Sequence, residues 1–176
     1  LEAFNRKIVD KNSIRLFMVK DPKTVKISNL PNSTVELPNH PSNKMGTRKV
    51  TVDDSVLLSS EDVKDLKVGD QLRLMGLGNV KIISVNSEIT AEFTGDAHNV
   101  NFIKLQWVSK KNAHELKILI PQQLFVDDKF NEESLEEIHV YVEPHYVELK
   151  NEEEIQFVRF GYCRKDSSKQ AIFTHK

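Results

Sequence analysis

Residues 70–93, DQLRLMGLGNVKIISVNSEITAEF, decide the class of fold. The runs DQLRLM (70–75), NVKIISV (79–85) and EITAEF (88–93) are short and rich in apolar and β-branched residues, and Gly-Leu-Gly and Asn-Ser, residue types that reverse a chain, stand between them. Gly76 and Gly78 raise the question of a phosphate loop. Such a loop needs a further glycine in position and a following helix whose N–H groups face the phosphates. A strand-like run follows instead, so MGLGNV reads as a hairpin turn.

The same pattern continues outward. Upstream lie SIRLFMV (13–19), TVKIS (24–28), STVEL (33–37), RKVTV (48–52) and SVLLS (55–59). Downstream lie NFIKLQWV (101–108), HELKILI (114–120), YVELK (146–150), EIQFVRFGYC (154–163) and QAIFTH (170–175). Short strands at turn-punctuated spacing point to an all-β chain of barrels or sandwiches and not to strand–helix alternation. Two short helices are expected. SSEDVKDL offers Ser59 or Ser60 as a cap, Glu61 and Asp62 in the first turn and Gly69 as a stop; NEESLEEI begins at Asn131 and continues with strong helix formers.

The 176 residues are 39% hydrophobic and 29% charged, which suits one sizeable core or two small ones. The longest apolar stretches, IRLFMV and LKILI, fall far short of the roughly 20 residues that cross a bilayer, and a soluble, cytoplasmic protein without a membrane partner is expected. A single Cys163 excludes an internal disulfide and any multi-thiolate site. The net charge of −1 conceals a gradient. Residues 1–50 carry a surplus of Lys and Arg, whereas Asp127, Asp128, Glu132, Glu133, Glu136 and Glu137 begin an acidic segment that runs to Glu154. One end is suited to phosphate and the other repels it.

Catalytic chemistry finds little support. No GxSxG elbow is present, and the carboxylates of 127–154 read as a solvated face. His139, Glu143 and His145 in HVYVEPH match no ligand spacing, and His40 has no cysteine near it, so no metal site is expected. Binding vocabulary remains. Arg15 precedes Phe17, Arg73 sits in LRLM, and QFVRFGYCRK interleaves Gln156 and Arg159 with Phe157, Phe160 and Tyr162. Unpaired RNA bases stack on such rings and bond to such planar polar groups. A regular strand puts Gln156 and Arg159 on opposite faces, so a bulge must intervene or only one of them reaches the RNA.

Five ordered blocks carry a resemblance: FNRKIVDKNSIRLFMVKDPKTVKI, LPNHPSNKMGTRKV, LKVGDQLRLMGLGNVKI, LQWVS, and EIQFVRFGYCRKD with FTHK. In this order they resemble the C-terminal half of the class I glutamyl- and glutaminyl-tRNA synthetases, and NRKIVD and RLMGLGNVKI look most like the archaeal-type glutamyl enzyme. The resemblance covers almost the whole chain. It implies two packed, antiparallel β-barrels with a few short helices over residues 1–176, with the start and end of the chain meeting in one barrel, and it implies binding of the tRNA anticodon loop. HIGH-like and KMSKS-like motifs are absent, so catalysis, ATP and magnesium belong by this resemblance to a catalytic domain that would end where Leu1 begins. The chain itself would hold no cofactor and no catalytic residue.

Carried over position by position, the resemblance makes Arg15 and Gln156 readers of the central anticodon base and places Arg73 near the first base and Lys64 near the third. Arg159 joins the base-contacting set, and Lys44, Arg48 and Lys49 are phosphate candidates by charge. The sequence departs from the glutaminyl pattern at Met75, where a second arginine would stand, and at Asp65, beside Lys64. That favours the glutamyl branch or relaxed discrimination at the third base. The alternatives are a glutaminyl domain, a structural RNA-binding barrel outside the synthetases, and a protein-interaction module using the acidic segment.

Overall fold

The computed structural model describes residues 8–31, 34–42 and 44–176. Of the stretches read from the sequence, FNRK at the start of the first block, Asn43 in LPNHPSNKMGTRKV and the first residue of STVEL lie outside the described residues.

Two seven-stranded sheets make the fold, accompanied by two small hairpins, β4 (Thr34–Pro38) with β5 (Thr47–Thr51) and β13 (Phe125–Val126) with β14 (Lys129–Phe130). The first, here the terminal barrel, contains β1 (Ile14–Leu16), β2 (Met18–Lys20), β12 (His114–Pro121), β15 (Leu135–Val142), β16 (Glu154–Phe157), β17 (Gly161–Ser167) and β18 (Gln170–His175), in the order β1-β16-β17-β18-β12-β15-β2. The second, the central barrel, contains β3 (Pro22–Ser28), β6 (Ser55–Ser59), β7 (Gln71–Leu74), β8 (Gly78–Val85), β9 (Ile89–Gly95), β10 (Ile103–Leu105) and β11 (Val108–Ser109), in the order β10-β7-β8-β9-β3-β6-β11. Both are mainly antiparallel. Parallel pairs join β1 to β16, β12 to β18, β3 to β9 and β10 to β7.

Chain geometry curls each sheet until its edges come together, nearly closing it. β1 and β2 form opposite edges of one sheet, yet only Phe17 stands between them. A single residue spans only about 7 Å between its neighbours, so the two edges must meet. β10 and β11 repeat the device across Gln106 and Trp107. The two seams also face each other: the Phe17 and Trp107 rings lie 6.4 Å apart, and Gln106 accepts a hydrogen bond from the Met18 amide at 3.4 Å. Each barrel has its own core, Leu16, Ile118, Val140 and Phe157 in one, Val25, Leu58, Leu74 and Ile82 in the other. Phe17 and Val19 cross over and pack in the central one.

The hairpin reading of 70–93 holds: β7, β8 and β9 pair antiparallel in succession, and Gly76 at φ +75° makes the first turn. Two expectations fail. NEESLEEI is not a helix, because its second half opens β15. Ile138, Val140 and Val142 are buried while Glu137 and His139 are exposed, and this period of two overrides the helix propensity of the glutamates. Asn131 instead caps a turn, accepting the Glu133 amide at 3.1 Å. YVELK is not a strand. His145–Glu148 is a helical turn that follows Pro144, with Tyr146 buried beneath it. The other expected helix is a single turn, Ser60–Val63.

Gly161, which opens β17 at φ +152°, has no room for a side chain: a Cβ there would lie 2.8 Å from the His175 carbonyl oxygen and 2.7 Å from Phe173. Gly161→Ala is expected to cost at least about 1–2 kcal/mol, since both backbone conformation and space oppose it. A urea midpoint lowered with an unchanged slope checks this.

Candidate nucleic-acid interface

Strand register builds the site. In the β1–β16 ladder Arg15 lies opposite Gln156, in β16–β17 Gln156 lies opposite Tyr162, and in β17–β18 Tyr162 lies opposite His175. Their neighbours Leu16, Ile155, Phe157 and Cys163 point into the terminal barrel's core, so the four form a row across its outer face. The Tyr162 and His175 rings stack at 4.6 Å and 12°. Arg15 and Gln156, far apart in the chain, are thus side by side.

Hydrogen bonding fixes part of this row and leaves part unused. Arg15 Nη2 donates to Asp10 Oδ1 at 3.0 Å, and the Tyr162 hydroxyl donates to the same oxygen at 2.8 Å. The Tyr162 bond and then the Arg15 guanidinium hold the Asp10 carboxyl below its ordinary range, against the opposing effect of its partial burial. Among the described residues, Arg15 Nε, Gln156 Oε1 and His175 Nε2 are buried without a hydrogen-bond partner. Buried polar atoms are normally satisfied, so this enclosed donor and acceptor, on residues that the ladder sets opposite each other, call for a partner that a local side-chain movement would admit. Glu154, two residues from Gln156 on the same strand face, has its pKa raised by burial, with His175 and Arg164 acting in the opposite direction.

A cavity of about 230 Å³ adjoins Arg15. Phe17, Pro38, Pro41, Met75 and Val158 supply its apolar walls, drawn from both barrels and from the hairpin of β4 (Thr34–Pro38) and β5 (Thr47–Thr51). The two prolines hold that hairpin's loop stiff, and the Arg15 amide donates to the Asn39 carbonyl at 2.7 Å, tying the loop to β1. Apolar walls around a few polar groups are the usual form of a small-ligand pocket.

The three phosphate candidates separate. Lys44 and Lys49 are exposed. Arg48 is not available to phosphate: its side chain is 3% exposed, its Nε and Nη2 donate to Glu143, the latter at 2.7 Å, and its Nη1 donates to the Pro38 carbonyl at 2.8 Å. Alternation along β5 turns Arg48 inward with Val50, while Lys49 faces out. Arg48 therefore leaves the phosphate-facing set and becomes a joint between hairpin and terminal barrel. Glu143, its partner, is likewise removed from any metal reading of HVYVEPH. His40 is buried in the loop, its Nδ1 accepting the Ser42 amide at 3.1 Å and its Nε2 3.9 Å from Asp10.

The remaining candidates lie around this centre. Arg73 stands on β7 two residues before the pocket-lining Met75, held by Asn79 at 2.9 Å and the Asp96 carbonyl at 3.0 Å. Arg159 sits on neither face of β16, because the strand ends at Phe157 and Arg159 takes φ +65° in the turn to β17. Its Nη1 bonds Asp62 Oδ1 at 2.9 Å, two residues from Lys64, which is exposed and paired with Glu61. Arg159 and Lys64 are therefore neighbours across the two barrels. The sequence singles out neither Asp10 nor His175, and it presents Glu143 only as a metal-ligand candidate without a matching spacing; Tyr162 stands out as one of the aromatics between cations.

Among the described residues, no helix is long and apolar enough to cross a membrane. The family model described as the anticodon-binding domain of class I tRNA synthetases (E and Q) matches residues 13–98, and a second model of the same description matches residues 104–166. The glutamate–tRNA ligase of Nitrosopumilus maritimus is 56% identical over 176 residues, covering 100% of this chain. That of Cenarchaeum symbiosum is 45% identical over 175 residues, covering 99%, and that of Korarchaeum cryptofilum 34% over 169, covering 94%. The chain spans 31% of the length of the first two proteins and 28% of the third. On the matched blocks, which take in both barrels, this chain belongs to the anticodon-binding domains of the class I glutamyl- and glutaminyl-tRNA synthetases.

Proposed function

We propose that the chain reads the anticodon loop of glutamate tRNA on behalf of a glutamate–tRNA ligase, whose ATP- and magnesium-dependent chemistry lies in a catalytic domain outside this chain, and that it works in the cytoplasm. The observation that carries the reading is the register of Arg15 against Gln156 beside an apolar cavity. Uracil, the base complementary to the central adenine of glutamate and glutamine codons, offers an N–H and a carbonyl on one edge. Once side-chain movement uncovers them, Gln156 Oε1 can accept from the former and Arg15 can donate to the latter, while Met75, Pro41 and Val158 of the adjoining cavity take the ring faces. Arg73, one strand repeat of roughly 7 Å beyond Met75, is placed for a flanking base. Lys64 and Arg159 contact the other flank, and Lys44 and Lys49 meet phosphates. Binding energy gathered here would orient the acceptor end in the catalytic domain.

Titrating the chain with stem-loops carrying the glutamate anticodon, the glutamine anticodon and one altered at the central base tests this. The glutamate loop should bind most tightly and the central-base variant at least about tenfold more weakly, a difference of about 1.4 kcal/mol. Equal binding of all three would instead fit a structural RNA-binding barrel.

A further inference from the structure

Asp10 belongs to no strand, yet groups from three other parts of the chain converge on its carboxylate. Arg15 Nη2 of β1 lies at 3.0 Å, the Tyr162 hydroxyl of β17 at 2.8 Å, and His40 Nε2 of the hairpin loop at 3.9 Å. Tyr162 is itself fixed by its stack on His175. A free arginine side chain samples many rotamers, and ordering it on binding would weaken base recognition. The carboxylate takes Nη2 and leaves Nε without a hydrogen-bond partner, on the residue that the β1–β16 ladder sets opposite Gln156. It also balances the charge. An arginine already paired with an anion gains less from a phosphate, which attracts by charge, than from a base edge, which rewards direction.

We propose that Asp10 is a positioning residue for base reading: held by Tyr162, it fixes the Arg15 guanidinium against Gln156 and neutralises it, so that Arg15 serves a neutral base edge and not the phosphate backbone. This rests on the reading of Arg15 given under Proposed function. Removing the charge should therefore release Arg15 towards phosphate.

The test is stem-loop binding by Asp10→Asn, measured as the ratio of affinities for the glutamate loop and its central-base variant, and as the slope of log affinity against log salt. The ratio should fall about five- to tenfold, and the slope should steepen by about one counterion as Arg15 gains a phosphate. Tyr162→Phe, which keeps the ring and its stack, should lower the ratio in the same direction, and the double variant should lose less than the two losses combined. An unchanged ratio and slope in Asp10→Asn would overturn the inference. So would a ratio that rises, which would make Asp10 a competitor for Arg15. If Arg15→Ala leaves the ratio intact, the base-reading role falls and this inference with it; if Arg15→Ala abolishes the ratio while Asp10→Asn preserves it, only the inference falls.

Discussion

Glu143→Ala is expected to destabilise the chain by about 3–5 kcal/mol, the range for removing one partner of a buried ion pair. Its carboxylate is almost fully enclosed, accepts from Arg48 through two guanidinium nitrogens, and accepts the Phe17 amide at 2.6 Å. Without it, a guanidinium and a seam amide are left in a site that water does not reach. The surviving contacts of Arg48, a bond to the Pro38 carbonyl and a position 5.6 Å above the Phe17 ring, do not neutralise its charge. Urea denaturation should show the loss as a lower midpoint. A volume-conserving apolar pair, Arg48→Met with Glu143→Leu, should cost much less than Glu143→Ala, because no charge is then stranded. The same joint holds Pro38 and Phe17 at the cavity beside Arg15, so Glu143→Ala should also weaken RNA binding under conditions where the chain stays folded.

Arg15→Ala is expected to weaken binding of the glutamate stem-loop by about 1–3 kcal/mol while barely changing affinity for the loop with an altered central base. Its side chain is about one-third exposed, makes a single ion pair, and fills no core, so the fold should tolerate its loss with a stability change on the order of 1 kcal/mol or less. The slope of affinity against salt should stay close to the parent value, because a base contact releases no counterion. An equal loss for both loops with a shallower slope would make Arg15 a phosphate contact. Lys49→Ala supplies the contrast: an exposed cation on the outer side of β5 should weaken both loops alike and reduce the slope by about one.

Much of the β architecture was legible because strands announce themselves locally. In 70–93, Gly76 and the alternation of Leu72 and Leu74 suffice to give a hairpin. Residues 131–138 misled because glutamates favour helix in isolation, while the burial of Ile138, Val140 and Val142, decided by the distant β2 and β12, favoured strand. Closure of the barrels was not legible from any local signal. It depends on Phe17 and on the Gln106–Trp107 pair each sending the chain from one sheet edge to the other, which is a matter of non-local register. The site divides the same way. Cation–aromatic interleaving marks Arg15 and Gln156 as binding residues, but their meeting at one base follows from the family resemblance and not from spacing. The burial of Arg48 could have been read from parity, since it shares a strand face with Val50. Asp10 carries no mark in the sequence, because what distinguishes it is convergence of Arg15, Tyr162 and His40 on one carboxylate.

The most direct measurement is a photocrosslink from a glutamate anticodon stem-loop carrying 4-thiouridine at the central position, with the adduct mapped by peptide mass spectrometry. The account predicts adducts in the peptides that hold Arg15, Met75 or Gln156–Val158, and their loss when excess unmodified glutamate loop is present. Adducts confined to the exposed Lys44 and Lys49 region, or competed equally by a loop with an altered central base, would contradict it.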